Sequence, residues 1–248
     1  MFAAMIAVAF VFGACASSAS AEAWGTLKGQ VLLNGNVPEI PPLVINKGPV
    51  CMAQPVPDEK LVVDAKTKGI ANVVIYLAKK PDAIHPSLKE IDEKKKEVTF
   101  DQKGCRFTPH VLVARTGQQV RVLSDDDTFH TSHIYMSRND SENFLLAPKN
   151  RVGVLLKPFK LAEKLPRKVT CDLHIWMNAY LVVVDHPYAT VTDTEGKFEI
   201  PELPAGTHEF IVWHESAGYF DKKYKVEIKE GVNEQKPLKF TSAQILIP

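Results

Sequence analysis

A nine-residue stretch, V-T-C-D-L-H-I-W-M at 169–177, constrains the fold more than any other part of the chain. It spaces Cys171, His174 and Met177 three residues apart. β-Branched and aromatic residues flank it at 168–170 and 180–184, which favours a strand on each side over one continuous helix. A thiolate, an imidazole and a thioether are therefore expected on one tight loop between two strands, as ligands of a soft metal ion.

An upstream run, D-D-D-T-F-H-T-S-H at 125–133, offers a second imidazole at His130. Copper electron-transfer sites use a trigonal set of two histidines and one cysteine, with a weakly bound axial methionine. His130 would complete such a set. The competing interpretation places Cys171, His174 and Met177 on one face of a buried helix, where Cys and Met are common core residues. His133 is expected to be an outward-facing strand residue.

Forty residues separate His130 from Cys171. In a β-sandwich that interval holds two or three connecting strands, such as one at 152–156, before the chain returns to the same end. The two parts of the proposed site can therefore meet in space.

The segment 107–130, with F-T-P, a strand pattern, G-Q-Q-V, an acidic loop and His130, resembles the blue copper proteins, or cupredoxins. The C-x-x-H-x-x-M loop is similar in spacing to that of amicyanin-like cupredoxins. With D-H-P-Y at 185–188 and V-W-H-E at 212–215, the wider pattern resembles the secreted cupredoxin-like proteins called methylamine utilisation proteins. The resemblance implies one copper ion, held by four ligands: His130, Cys171, His174 and Met177.

Two positions depart from the cupredoxin pattern. Ser124 stands where the family usually has Asn, and Thr131 replaces the Asn that often follows the first ligand His. In the family that second Asn ties the two ligand loops together. The rigidity and the potential of this site therefore need not follow the family.

The run T-D-T-E-G-K-F-E-I-P-E-L-P-A-G at 192–206 resembles carboxypeptidase regulatory-like domains, which are small prealbumin-like β-sandwiches. Such domains open with two strands that here occur much earlier, at 29–31 and 73–77. We therefore expect residues 24–80 to pair with residues 187–248, with the cupredoxin unit inserted between them. Sequential packing on the cupredoxin sheets is the alternative.

The expected fold class is all-β, with a cupredoxin Greek-key β-sandwich and a small prealbumin-like β-sandwich. The expected domains are a signal peptide at 1–21, N-terminal strands at 22–97 that complete the C-terminal sandwich, a cupredoxin-like domain at 98–185 and a carboxypeptidase regulatory-like domain at 186–248. A continuous buried strand is expected at 68–77. The charged stretch at 81–96 is expected to be a solvated face without chemistry, with a short helix at 86–93 as the alternative.

The N-terminus predicts export. Residues 2–15 are apolar and are followed by an A-S-A cleavage site ending at Ala21, a pattern too short to span a membrane. F-G-A-C ending at Cys15 also resembles a lipoprotein cleavage box, so the protein is expected in the periplasm or at the cell surface, with a lipid anchor as the minority alternative.

Cleavage leaves three cysteines, and if Cys171 binds metal, Cys51 and Cys105 are available to form a disulfide. Two buried free thiols are the alternative.

The formal net charge of +1 gives no indication of nucleic acid or of an anionic membrane as a partner. We expect no enzyme, because H-E-x-x-H, G-x-S-x-G and a second cysteine-based copper centre do not occur in the sequence. The predicted function is one-electron transfer to a transient redox partner, such as a c-type cytochrome or a dehydrogenase, through an exposed edge of His174. The alternatives are a structural surface protein with a vestigial site, and a copper carrier or chaperone.

Three expectations concern residues outside the ligand set. The run 125–127 is expected to be a solvated acidic loop, because it lacks the oxygen ligands and the glycine of a calcium loop. Trp176 and Phe129 flank ligands and are expected to keep water from the metal. His110, His186 and His214 are expected to pack and form hydrogen bonds.

Overall fold

The computed structural model of the protein describes residues 23–245. The predicted signal peptide, its cleavage site and Cys15 lie outside these residues. Nearly all regular structure in the described part is strand, which confirms the all-β fold class. None of its helices has the length and apolar character needed to cross a membrane.

The strands are numbered in chain order. They are β1 Trp24–Asn34, β2 Val74–Leu77, β3 Glu97–Gln102, β4 Phe107–Thr108, β5 Val111–Arg115, β6 Gln119–Ser124, β7 His130–Ile134, β8 Glu142–Leu146, β9 Val154–Leu155, β10 Arg167–Thr170, β11 Asn178–Val184, β12 Ala189–Val191, β13 Lys197–Pro204, β14 Gly206–His214, β15 Gly218–Ile228, β16 Gly231–Glu234 and β17 Leu238–Thr241. The helices are short: α1 Pro49–Met52, α2 Pro86–Lys89 and 3₁₀ turns at Glu93–Lys95 and Ser242–Gln244.

The first sandwich is formed by β3 to β11. One sheet has the strand order β5-β11-β10-β7-β8, and the other has the order β4-β3-β6-β9. Alternate residues of β6 and β7 are buried, as expected for strands with one face on a core. Their inner faces enclose a core that includes Phe100, Phe107, Val169 and Leu181.

The second sandwich joins the two ends of the described chain. β1 pairs with β13, β16 and β17, and β2 lies between β12 and β14. Leu27 is in register with Ile200, and Ile75 with Val212. The early strands therefore lie in the same sheets as strands beyond residue 187, which is the pairing expected from the sequence. The domain boundaries drawn from the sequence remain a prediction.

The two sandwiches share an apolar layer. Ile75 and Leu77 of β2 face the core of the second sandwich, whereas Val74 and Tyr76 point the other way. Val74 and Tyr76 belong to a cluster with Trp213 of β14, and with Val111, Val182 and Val184 of the first sandwich. Because β2 is buried on both faces, its sequence is apolar at every position.

The strand expected at 68–77 is shorter in the structure. Lys68 and Asn72 adopt positive φ angles of 63° and 61°, which interrupt an extended strand. Gly69 and Ile70 form only isolated bridges, and regular pairing begins at Val74. The alternative of a short helix at 86–93 holds only for Pro86–Lys89.

A loop that we call the strap, residues 43–56, crosses one end of the first sandwich. The Leu43 amide donates to the Val56 carbonyl at 2.8 Å and closes its base. Cys51 is fully buried and forms a disulfide with Cys105. Leu43, Ile45 and Val56 pack on the core of the first sandwich. A proline-rich loop is thus anchored by one covalent bond and a row of apolar side chains.

Candidate metal centre

Strand pairing brings the proposed ligands together. His130 is the first residue of β7, and Cys171 directly follows β10, which pairs antiparallel with β7. The loop then turns back, with the Met177 amide donating to the His174 carbonyl at 2.8 Å and the Cys171 amide donating to the Met177 carbonyl at 3.2 Å. Cys171, His174 and Met177 therefore lie on a tight loop between two strands rather than on a helix.

The donor atoms converge on one small space. The Nδ1 atoms of His130 and His174 are 2.9 Å apart, and the Cys171 Sγ lies 4.0 Å from the first and 3.8 Å from the second. A point equidistant from the three atoms lies about 2.1 Å from each, within the roughly 2.0 to 2.3 Å at which nitrogen and thiolate ligands bind zinc. The residues thus fit a first-row metal ion without rearrangement.

All four side chains are shielded from solvent. His130 is completely buried, Cys171 and Met177 are 1% exposed, and His174 is 6% exposed. Met177 belongs to the same core cluster as Cys171. Soft sulfur and imidazole donors in a buried site favour copper over hard cations, which require oxygen ligands.

Hydrogen bonds favour the thiolate form of Cys171. Burial alone would raise the pKa of this thiol, but His130 and the Thr131 amide, which donates to Sγ at 3.3 Å, lower it. Burial, together with the nearby charge of His130, lowers the pKa of His174. A thiolate and a neutral imidazole are the protonation states in which both groups bind metals.

Thr131 connects the two ligand loops. Its hydroxyl accepts a hydrogen bond from the Asp172 amide at 2.6 Å, and its own amide donates to the Cys171 sulfur. Thr131 therefore makes the contact between loops that the family resemblance assigned to Asn. Ser124, the other departure, is buried at the end of β6.

The acidic run 125–127 is not a solvated loop throughout, so that expectation was wrong for Asp126. Asp126 is buried, and its carboxylate accepts from the Gly104 amide at 2.6 Å and the Cys105 amide at 2.8 Å. Its Oδ2 also lies 3.0 Å from the Nε2 of His130. Although burial raises the pKa of the Asp126 carboxyl, these hydrogen bonds outweigh it and lower the pKa. The Asp-x-x-x-His spacing was the available signal for this contact.

The strap covers His174, and the expectation of an exposed His174 edge was therefore wrong. A Cβ atom added to Gly48 would lie 3.3 Å from the His174 Nε2. Gly48 also has a positive φ of 80°, which glycine adopts without strain. The neighbouring Ile175 is 75% exposed. The ligand loop thus presents Ile175, rather than the imidazole, to solvent.

Shielding by aromatic residues was predicted correctly for one residue of two. Trp176 is half-buried and its ring lies 5.0 Å from that of His174. Phe129 is 50% exposed, because it precedes β7 with its side chain away from the core. Trp176 and the strap, rather than Phe129, separate the site from water. His133 has Nδ1 3.2 Å from an Asp172 carboxylate oxygen at the surface.

A cavity of about 410 Å³ lies beside the ligand loop, between the strap and the second sandwich. Trp176, Met177 and His110 are among its lining residues. His110 is buried and its Nε2 contacts a carboxylate oxygen of Glu215. Burial lowers the pKa of His110, but Glu215 and Glu59 outweigh this effect and raise it. His110 was expected to pack and to form hydrogen bonds, and its burial and its contact with Glu215 agree with this expectation.

No family model matches the chain, and no curated protein matches it. Among solved structures, it is similar to amicyanin from Paracoccus versutus, at 13% identity and a TM-score of 0.30, over 44% of this chain and 96% of that one. It is also similar to a purple cupredoxin from Nitrosopumilus maritimus, at 16% identity and a TM-score of 0.27, over 34% of this chain and 97% of that one. A copper-containing nitrite reductase from Thermus scotoductus matches at 17% identity and a TM-score of 0.28, over 60% of this chain and 27% of that one. These structural neighbours are cupredoxins.

Proposed function

We propose that this chain is an exported type 1 copper protein that carries single electrons. The observation that supports the proposal most directly is the convergence of one sulfur and two nitrogen atoms, from segments forty residues apart, around a point about 2.1 Å from each. A structural core would have no reason to bring a thiolate and two imidazoles into one buried cluster, since buried polar groups are costly unless they are satisfied.

The roles of the ligands follow from their chemistry. Copper, when bound, supplies a one-electron couple between Cu(I) and Cu(II). Cys171 would supply a thiolate ligand, and His130 and His174 would bind the ion through Nδ1. Met177, at the end of the loop and buried with Cys171, would supply a thioether ligand. Because two strands and Thr131 hold these groups, little should move when the charge at the site changes.

Carrying electrons fits the enclosure of the site better than catalysis does. A catalytic metal site keeps an open position for water or substrate. Here the strap, Trp176 and the strand ends enclose the donors, and His174, the most exposed of them, is only 6% exposed. We propose a transient redox partner, such as a c-type cytochrome or a dehydrogenase. We also propose that the protein works in the periplasm or at the cell surface, where a Cys51–Cys105 disulfide can persist.

Absorption spectroscopy of the copper-loaded protein tests the proposal. The wild type should bind one equivalent of Cu(II) and show an intense blue thiolate band, which dithionite removes and ferricyanide restores. Cys171→Ser should lose the band, whereas His133→Ala, a change on the strand of His130 but outside the donor set, should keep it. A colourless Cu(II) form of the wild type would rule the proposal out.

A purely structural role with a vestigial site predicts a different result. In that case the wild type would take up no copper in competition with a weak chelator, and Cys171→Ser would behave like the wild type. Reversible oxidation and reduction without loss of the ion would separate an electron carrier from a copper chaperone, which must release its cargo.

A further inference from the structure

We propose that Asp126 is a positioning residue of the metal centre, which orients His130 and favours the higher oxidation state of the bound ion. This inference rests on the proposed function, because it concerns the same site. It is carried by the buried contact between the Asp126 carboxylate and the His130 ring.

The Asp126 carboxylate is fixed before any metal arrives. Its two oxygens accept hydrogen bonds from the Gly104 and Cys105 amides, and the Asp126 carbonyl accepts from the Lys149 amide at 2.9 Å. The disulfide from Cys105 to Cys51 holds the turn that provides two of these donors. With its own position determined by backbone groups, the carboxylate can hold the imidazole in one orientation.

The contact also selects a tautomer of His130. An ionised carboxylate can only accept hydrogen bonds, so the 3.0 Å contact requires a proton on the His130 Nε2. In the neutral ring the Nδ1 then carries a lone pair, and this atom faces the Nδ1 of His174 and the Cys171 sulfur. Asp126 thus prepares His130 for metal binding through Nδ1.

A carboxylate behind a ligand imidazole makes that imidazole a stronger donor. It also places a negative charge close to the ion in a buried environment, where charges are weakly screened. Both effects stabilise Cu(II) more than Cu(I), since the divalent ion carries the larger charge. Asp126 should therefore lower the reduction potential of the site.

The same acidic run contains a matched control. Asp125 carries the same charge one residue away, but its side chain is 34% exposed and forms an ion pair with Lys103 at 3.1 Å. Asp125→Asn removes a nearby charge without touching His130. Asp126→Asn keeps the shape of the side chain but removes the charge behind the imidazole and one of the two acceptor oxygens.

The test measures Cu(II) and Cu(I) affinities separately, by competition with chelators, together with the reduction potential. Asp126→Asn should weaken Cu(II) binding by about 10- to 100-fold, and Cu(I) binding by much less. Each tenfold difference between the two losses corresponds to a rise in potential of about 59 mV. Asp125→Asn should change both affinities alike. Equal losses for both oxidation states in Asp126→Asn would overturn the proposal, because a merely structural role weakens both.

A measurement on the metal-free protein keeps this inference separate from the proposed function. The His130 Nε2–H should give a protected proton resonance by NMR in the wild type and in Asp125→Asn, and should lose its protection in Asp126→Asn. If the wild type binds no copper but shows this pattern, the proposed function fails and the positioning role of Asp126 stands. An unprotected resonance in the wild type would refute the positioning role.

Discussion

His214 is a buried side chain whose protonation should make the stability of this protein depend on pH. It is completely buried at the end of β14, and its ring stacks on Phe220 at 5.8 Å. Burial, together with the nearby His110, lowers the pKa of His214 to about 4. The folded protein therefore keeps this imidazole neutral, whereas the unfolded chain protonates it near pH 6.5.

The sign of the resulting pH dependence follows from proton binding. Between pH 6.5 and about 4 the unfolded state binds a proton at His214 and the folded state does not. The free energy of unfolding should therefore fall through this window on acidification, by about 3 kcal/mol from His214 alone. Denaturant titrations of wild type and His214→Gln at a series of pH values measure this contribution as their difference.

The control for this prediction is His208→Gln, on the same strand but half-buried. In His208→Gln, the free energy of unfolding should decrease between pH 6.5 and 4 by the same amount as in the wild type. A His214→Gln protein that loses stability on acidification as steeply as the wild type would show that His214 is not responsible.

The roles of some residues in the candidate site could be predicted from the sequence, and those of others could not. His130, Cys171 and His174 were predicted as metal ligands from their residue types and spacing. The structure brings their donor atoms together. The roles of Asp126 and Gly48 were not found, because each depends on a partner brought close by folding. A carboxylate looks the same in a sequence whether it faces water or an imidazole.

At the scale of elements, the strap limits access of solvent and solutes to the candidate metal centre. Its apolar residues pack on the first sandwich, and Gly48 lies against the His174 ring. Its covalent anchor, the Cys51–Cys105 disulfide, joins residues 54 apart in sequence. In the entropic account of disulfides, a bond that closes a loop of this size restricts the unfolded chain and so stabilises the folded protein by about 4 kcal/mol. Without the bond, opening of the strap should become much easier.

Thiol labelling tests this role of the disulfide. In a protein of residues 22–248 carrying Cys51→Ser and Cys105→Ser, Cys171 is the one cysteine left. We expect a thiol reagent to modify Cys171 in the metal-free double variant at least about tenfold faster than in the disulfide-bonded protein, because an opening cheaper by 1.4 kcal/mol is about ten times more populated.

The matched control for labelling is a variant of lower global stability with an intact strap, and Trp213→Ala serves this purpose. It should leave Cys171 labelling slow in native buffer. If the double variant were labelled as slowly as the wild type, the strap would not depend on its disulfide for closure.

At the scale of the whole molecule, the shared apolar layer couples the two sandwiches. Trp213 is 8% exposed, and its ring meets that of Tyr180 edge-on at 4.9 Å across the layer. Val74 and Val182 belong to the same cluster. Because each sandwich buries part of its outer sheet against the other, we expect the chain to unfold as one unit.

Truncating Trp213 should disturb this coupling. Trp213→Ala removes a large buried side chain and should cost about 3 to 5 kcal/mol. In the wild type, denaturant transitions followed by circular dichroism and by loss of the copper band should coincide. In Trp213→Ala they should separate, because the first sandwich retains its own core.

Val232→Ala is the control, since this side chain is 67% exposed in β16. It should change the free energy of unfolding by no more than about 0.5 kcal/mol. Coincident transitions at an unchanged midpoint in Trp213→Ala would mean that the shared layer contributes little.

The sequence by itself determined the all-β class and the loop between strands that carries Cys171, His174 and Met177, because alternation along strands and a spacing of three residues are local properties. That these residues bind copper stays a prediction. It also indicated that β1 and β2 belong with strands near the other end of the chain. Only the tertiary structure decided which donors are enclosed, that Asp126 supports His130, and that the strap covers His174. These contacts join residues that are distant in sequence or that turn toward each other only in the folded chain. Their energies depend on burial, which no local pattern encodes.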